Sequence, residues 1–323
     1  MSCCSNFWPE IIIASAPDIR IASLLPSATE ILCALGLQEN LVGVSHECDY
    51  PPGVAALPAV THTAIAKGLQ SRAIDEQVRE LLTRDAALYH LNVDVLQSLR
   101  PTHIVTQALC DVCAVSAAEV EEVACRLPGN PQIINLEPMS LQQVFDTFSV
   151  IGAATQREAK AREVLHALQS RVDAVVARAA TLKNAEKPRV AMLEWIDPLF
   201  NAGHWTPELV AMAGGIDCLG NLKQPSVCLN ADALIAARPD VIFIALCGFD
   251  LARTEQDLPL LESLPGWNQL PCVSNGRVYY VDGNAYFSRA GPRLVESLEI
   301  LAHALHPQLH PLSQGGQAAS NWG

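Results

Sequence analysis

Leu91-Asn92-Val93-Asp94-Val95-Leu96, then Arg100-Pro101 and Ile104-Val105, is answered later in the chain by Leu229-Asn230-Ala231-Asp232-Ala233-Leu234, then Arg238-Pro239 and Val241-Ile242-Phe243-Ile244. In register, Leu, Asn, Asp, Leu, Arg, Pro and Ile recur at seven of the first fourteen positions. Each copy reads as a short helix, a proline turn and a buried strand, because proline cannot continue a helix and the apolar run after it has strand length. A repeat that keeps this succession of elements predicts two similar α/β lobes. Each repeat strand then runs into cysteine, Cys110 in the first copy and Cys247 in the second.

Upstream of the first copy, Ile19 to Leu25 reads as a buried strand and Leu41-Val42-Gly43-Val44 as the next. Between them Pro26-Ser27-Ala28-Thr29-Glu30 opens a helix that ends near Gly36, with Ser27 and Glu30 at capping-box spacing. Strand, helix and strand are the start of a βαβ unit. Between the copies, Ser140 to about Leu182 holds almost no turn residues, and Ser140 with Gln143 repeats the capping pattern. Val164, Leu165, Leu168, Val172, Val175 and Val176 recur three or four apart, as an amphipathic helix requires. A helix of about 25 residues from Gln156 spans nearly 40 Å at roughly 1.5 Å per residue. The expected organisation is an N-terminal extension over 1–18, an α/β lobe over 19–139, a connecting helical segment over 140–187, a second α/β lobe over 188–308 and a disordered tail over 309–323.

Bulk composition narrows the partners. Half of the residues are hydrophobic and 17% are charged, so packed cores are expected rather than wholesale disorder. A formal charge of −13 argues against binding nucleic acid through its phosphates or docking on an anionic membrane. No apolar stretch approaches the roughly 20 residues of a membrane span. Eleven cysteines, an odd number, are easier to keep reduced than to pair. The stretch from Met1 to Pro17 has no Lys or Arg, and its apolar run Ile11-Ala14 is short for a signal peptide. A cytoplasmic protein is the expectation, the alternative being a periplasmic one whose true start lies upstream.

In open α/β sheets ligands sit beyond the carboxyl ends of the strands. Those positions carry His46, Cys48 and Tyr50 in the first lobe, with Cys110 and Cys113 after its repeat strand. In the second lobe they carry Glu194, Trp195, His204, Trp205, Cys247, Phe249, Tyr286 and Arg289. Ser27 reads as a helix cap whose neighbouring N–H groups can also receive an anionic ligand group. Cys110 and Cys113 form a lone CxxC, open to three readings: a redox pair, half a metal site, or packed small side chains. Cys33 and Cys125 fall in helical patterns and are expected in the core, Trp267 is expected to pack, and Glu208 is expected to be a first-turn acid. No Walker A, GxSxG, HExxH or GxGxxG pattern is present, which lowers the weight of an enzymatic function.

Arg20-Ile21-Ala22-Ser23-Leu24-Leu25-Pro26-Ser27-Ala28-Thr29-Glu30-Ile31, Leu41-Val42-Gly43-Val44-Ser45, both Arg-Pro repeats and Gly276-Arg277-Val278-Tyr279 resemble the substrate-binding proteins of bacterial importers for cobalamin, haem and iron-siderophore complexes. The likeness runs from about Arg20 to His306. Glu194-Trp195-Ile196-Asp197-Pro198, Gly203-His204-Trp205 and Tyr286-Phe287-Ser288-Arg289 look like the cobalamin-binding branch. The resemblance implies two α/β lobes joined by a single long helix, with the ligand cleft between them, a class III periplasmic binding protein-like fold. It implies non-catalytic binding of cobalamin or a related corrinoid or metal chelate, with ring faces on Trp195, Trp205 and Phe249 and an axial ligand from His46, His204 or a thiolate. It also implies an ABC permease as partner, docked through a surface carboxylate seven residues before each repeat proline, here Asp94 and Asp232 where glutamates are expected. The competing reading is a cytosolic sensor or redox protein that holds zinc, iron or a metallocluster through Cys48, Cys110, Cys113 and Cys247.

Overall fold

The computed structural model describes residues 19–84, 87–107, 115, 117–312 and 318–322. Its first lobe contains β1 (Ile21–Ser23), β2 (Leu41–Val44), β3 (Thr61–Thr63), β4 (Tyr89–Leu91), β5 (His103–Thr106) and β6 (Gln132–Asn135). Four of these form a parallel sheet in the order β2-β1-β5-β6, while β3 and β4 pair antiparallel as a separate ladder. The second lobe contains β7 (Arg189–Trp195), β8 (Phe200–Asn201), β9 (Ile216–Asp217), β10 (Val241–Ile244), β11 (Val278–Tyr280) and β12 (Ser320–Asn321). Its sheet runs β12-β11-β10-β7-β8, with β9 also beside β7. The central strands β11, β10 and β7 are parallel.

The two repeat copies fold alike. Each gives a seven-residue helix, Val93–Leu99 and Ala231–Ala237, that buries one leucine, Leu96 or Leu234. Each ends on an arginine in the left-handed region, Arg100 at φ 47° and Arg238 at φ 45°. Proline follows and turns the chain into β5 or β10. Asn230 caps its helix by accepting from the Asp232 N–H at 3.0 Å, whereas the Asn92 side chain turns to the Ala59 carbonyl at 2.9 Å.

The connector holds two helices. Ser140 accepts from the Gln143 N–H at 3.3 Å, and the Gln143 side chain answers at Met139 N, 2.7 Å, one residue before a standard capping box. The helix Leu141–Ala154 then stops at Gln156, whose φ of 59° reverses the chain. The helix Glu158–Ala179 follows, 22 residues against the expected 25. The two pack so closely that a Cβ on Gly152 would stand 2.9 Å from the Ala161 methyl.

Alternate residues of each strand feed opposite faces, as the pleat demands. Ile21, Val190, Met192 and Phe243 join a cluster that also takes in Phe148, Leu168, Val172, Leu298 and Leu301, so one core runs from the first lobe through the connector into the second. Ala22 and Ile104 face a second cluster on the outer side of the first lobe. Leu193, Ile242 and Ile244 face a third that contains Trp267, which packs as expected. Three expectations need correction. Cys125 is exposed rather than in the core, because its helix ends at Ala124. The tail expected to be disordered supplies β12, paired antiparallel with β11, and Trp322 lies 5.9 Å from Trp267. His310, within that tail, is buried.

Candidate ligand-binding cleft

The loop after β2 carries the first lobe's polar residues. Thr61 of β3 holds His46 twice, at its backbone N–H (3.2 Å) and at Nδ1 (2.7 Å). The other nitrogen, Nε2, is enclosed with no protein partner, and burial lowers the imidazole pKa, so the ring stays neutral. Tyr89 stands 5.7 Å from that ring and donates to Glu47 at 3.1 Å. Cys48 does not reach the rim. It is 4% exposed, its sulfur sits 3.1 Å from the Thr29 hydroxyl, and burial pushes the thiol up to about 11. Tyr50 is exposed, with the Arg293 guanidinium 4.3 Å from its ring centre.

Glu30 overturns the helix-cap reading. The helix Pro26–Ala34 starts after Leu25 with no side-chain cap. Pro26 lacks the N–H such a cap would leave for others, and Ser27 and Glu30 both lie inside the helix and are buried. The Glu30 carboxylate accepts from Arg293 Nε at 2.9 Å, Arg293 Nη2 at 2.6 Å and Arg289 Nη1 at 3.1 Å. Arg289 also holds Asp49 at 2.5 and 3.1 Å, and Asn284 donates to Asp49 at 2.8 Å. Burial alone would raise the Asp49 pKa, but the hydrogen bond and charge of Arg289, helped by Asn284 and Arg293, hold it below the usual value. Glu30 and Asp49 belong to the first lobe and the two arginines to the second. Four charges therefore tie the lobes together, and Arg289, read as a ligand contact, is already engaged.

In the second lobe Trp195 ends β7, half-buried, and donates its indole N–H to the Asp197 carbonyl at 3.0 Å. Its ring lies 4.9 Å from Phe249, and Arg253 stands 4.2 Å over the other ring of that pair. Trp205 departs from its expected role as a wall. It is 5% exposed, belongs to the continuous core and donates to the Phe287 carbonyl at 2.8 Å. Its neighbour His204 adopts φ 52° and keeps Nε2 enclosed without a protein partner, and burial lowers its pKa. Glu194 accepts from the Gly203 N–H at 3.1 Å. Burial still pushes its carboxyl up to about 7, against help from Gly203, Ser226 and Thr206. Tyr286 is half-buried, 5.8 Å from the Arg293 guanidinium, and Cys247 is exposed.

Cys110 and Cys113 lie outside the described residues. Among the described residues no three His, Cys, Asp or Glu side chains are placed to share a metal ion. With Cys48 facing the core, the four-cysteine site has no geometric support. Glu208 is structural, as expected, and accepts from the Leu141 N–H at 3.4 Å. Asp94 and Asp232 are exposed in the first turns of the two equivalent helices. Glu30, Asp49, Asn284 and Arg293 were not singled out as site residues. The signal for them was present, two arginines four apart in Arg289 and Arg293, but their acidic partners lie 240 to 263 residues away in the chain.

A family model described as periplasmic binding protein matches residues 21–285. An uncharacterized ABC transporter substrate-binding lipoprotein, YvrC of Bacillus subtilis, is 25% identical over 92% of this chain and 83% of its own. A vitamin B12-binding protein of Vibrio cholerae is 20% identical, with 90% of each chain covered. The crystal structure of a periplasmic heme binding protein from Pseudomonas aeruginosa superposes with a TM-score of 0.70 at 19% identity, covering 93% of this chain and 97% of that one. The family description and the lipoprotein relative point outside the cytoplasm and overturn the cytoplasmic expectation. The cysteine argument behind it also weakens, because burial raises the thiols of Cys33, Cys48, Cys218 and Cys272 to about 11 and leaves them protonated and slow to oxidise. Among the described residues no helix is long and apolar enough to cross a membrane. The paired lobes, the linking helix and the match over most of the sequence agree: this chain belongs to the periplasmic binding protein family and is a carrier of ligand, not an enzyme.

Proposed function

We propose that the chain binds a macrocyclic metal chelate, cobalamin or a related corrinoid or haem, between its lobes and hands it to an ABC permease. The observation that carries this reading is the half-buried Trp195 indole at the carboxyl end of the second lobe's sheet, backed by the Phe249 ring, which is itself buried in that lobe's outer cluster. A flat ring face needs a broad apolar wall, and few polar groups then fix its orientation. His46 and His204 supply the candidate axial ligands. Each is held neutral, the form that binds metal, and each keeps Nε2 free of protein partners. The names of the Vibrio and Pseudomonas relatives, which bind vitamin B12 and heme, favour this ligand class. Asp94 and Asp232, equivalent and exposed, are the proposed contacts for the permease.

Absorption spectroscopy with cyanocobalamin and with haemin tests the reading. A saturable shift of the Soret or corrin bands with one probe, weakened in His46→Ala or His204→Ala, is expected. Spectra that match free probe at every protein concentration would sink the ligand class. Mass spectrometry of the protein as purified then identifies the natural compound.

A further inference from the structure

Strands β3 and β4 are paired through Thr63 and Tyr89, and Ala64 still donates to the Leu88 carbonyl at 2.9 Å. Two residues could close such a hairpin, yet residues 65–87 intervene. Their centre is the helix Ser71–Thr83, in which only Ser71 is buried. Ile74, Val78 and Leu81 line up at helical spacing, and all three remain partly exposed. Neither core cluster of the first lobe includes a described residue of this insertion.

Apart from Gln77, which donates to the Ala64 carbonyl at 3.4 Å, its tertiary contacts go to the other lobe. Arg72 grips the Asp197 carboxylate with two nitrogens, at 2.5 and 3.0 Å. The Leu69 carbonyl accepts from Arg253 at 3.3 Å. Ile74 packs on the second lobe's outer cluster, which contains Leu199 and Phe249. Cys228 lies within hydrogen-bond reach of Arg79. Two of these anchors belong to residues that also touch the aromatic pair, Asp197 through its backbone carbonyl rather than the carboxylate that Arg72 holds. Asp197 accepts the Trp195 indole N–H, and Arg253 covers the Phe249 ring.

We propose that residues 69–83 are a strap of the first lobe latched over the aromatic wall of the second. A bulky chelate enters or leaves only when Arg72 and the Leu69 carbonyl release Asp197 and Arg253. The inference rests on the ligand class proposed above. The latch suits repeated opening. The Arg72 side chain is 64% exposed, so its ion pair is weak and broken at little cost. Lifting the helix uncovers Ile74 from the second lobe's outer cluster but unpacks neither core cluster of the first lobe, to which the described residues of the insertion contribute nothing.

Two variants of the full chain test the strap. In ligand-free Arg72→Ala, amide hydrogen exchange across 71–83 should quicken roughly two- to fivefold, the worth of one exposed ion pair, with β7 and β10 unchanged. Unaltered exchange over that helix would overturn the latch. In the second variant Asn-Gly replaces residues 65–87. Stopped-flow association and dissociation of cyanocobalamin or haemin, whichever the parent binds, should both rise on the order of tenfold, as expected when a gating step is removed. Rates equal to the parent's would overturn the gate. If the parent binds neither probe, the ligand class falls, and the exchange experiment still decides whether the helix is a latched strap.

Discussion

Replacing Glu30 by glutamine should uncouple the two lobes. The carboxylate is 1% exposed and takes three hydrogen bonds from Arg289 and Arg293, themselves 6% and 11% exposed. Glutamine keeps the shape, loses the charge and places an amide N–H₂ against guanidinium donors. Removing one partner of a buried ion pair costs roughly 3–5 kcal/mol, since the remaining charge is left in low dielectric. Asp49 still compensates Arg289, so only Arg293 is stranded and the expected loss lies near the lower end, about 3 kcal/mol. At roughly 2.1 cal/mol/K of unfolding entropy per residue, a chain of 323 residues shifts by about 1.5 °C per kcal/mol, so Tm should fall by about 4–5 °C. Because the acid and the arginines sit on different lobes, calorimetry should show the transition broaden or split. The control is Glu30→Leu with Arg293→Met, which removes charge from both sides and should recover at least about 1 kcal/mol relative to the sum of the single losses. A Glu30→Gln Tm within about 2 °C of the parent, or strict additivity in the cycle, would refute the idea that this cluster couples the lobes.

Three further outcomes follow from the site. Glu194 has its folded pKa raised from 4.5 to about 7, so between those values the unfolded chain is ionised while the folded chain must keep its proton. Stability from this group therefore declines as pH rises through that window, and Glu194→Gln should raise Tm more at pH 8 than at pH 5; equal shifts would remove the carboxyl from the account. Trp195→Ala should weaken chelate binding by about 1–3 kcal/mol with a small change in Tm, because the indole is only half-buried; early melting with unchanged affinity would make it a packing residue. Iodoacetamide at pH 8 should modify Cys125, Cys228 and Cys247 in the folded protein and spare Cys48 and Cys272 until unfolding; rapid loss of the Cys48 thiol would contradict its burial under Thr29.

The architecture was legible because it is written in local patterns. The Leu-Asn-x-Asp repeat encoded the same helix twice, down to the left-handed arginine that the sequence alone does not announce. The connector's apolar spacing marked the long helix to within two residues at its start, and the break at Gln156 went unseen because nothing but backbone conformation signals it. Site residues were harder. Trp195, Phe249 and Trp205 were all named from their position after strands, and of these Trp205 fills the continuous core, Phe249 is buried in the second lobe's outer cluster and Trp195 is half-buried beside it. Position names the end of a strand, but which way an indole turns is decided by neighbours distant in sequence. Glu30 illustrates the same limit. Its spacing from Ser27 satisfies a local rule, and two arginines from the other lobe override it. The helix within 65–87 was not read from the sequence, and its significance lies in what it touches, which no local pattern states.

The strand at the far end of the chain bears on how this protein behaves in concentrated solution. Without Ser320 and Asn321, β11 would present a free row of backbone donors and acceptors along Val278–Tyr280, an invitation to pair with another molecule. A two-residue strand is a slender guard, held in place by the Trp322 ring against Trp267 and by the Asn321 side chain on the Gly276 carbonyl at 2.9 Å. Cloning choices at the carboxyl terminus therefore have colloidal consequences. A truncation before Ser320 removes this guard and leaves the β11 edge open to another chain.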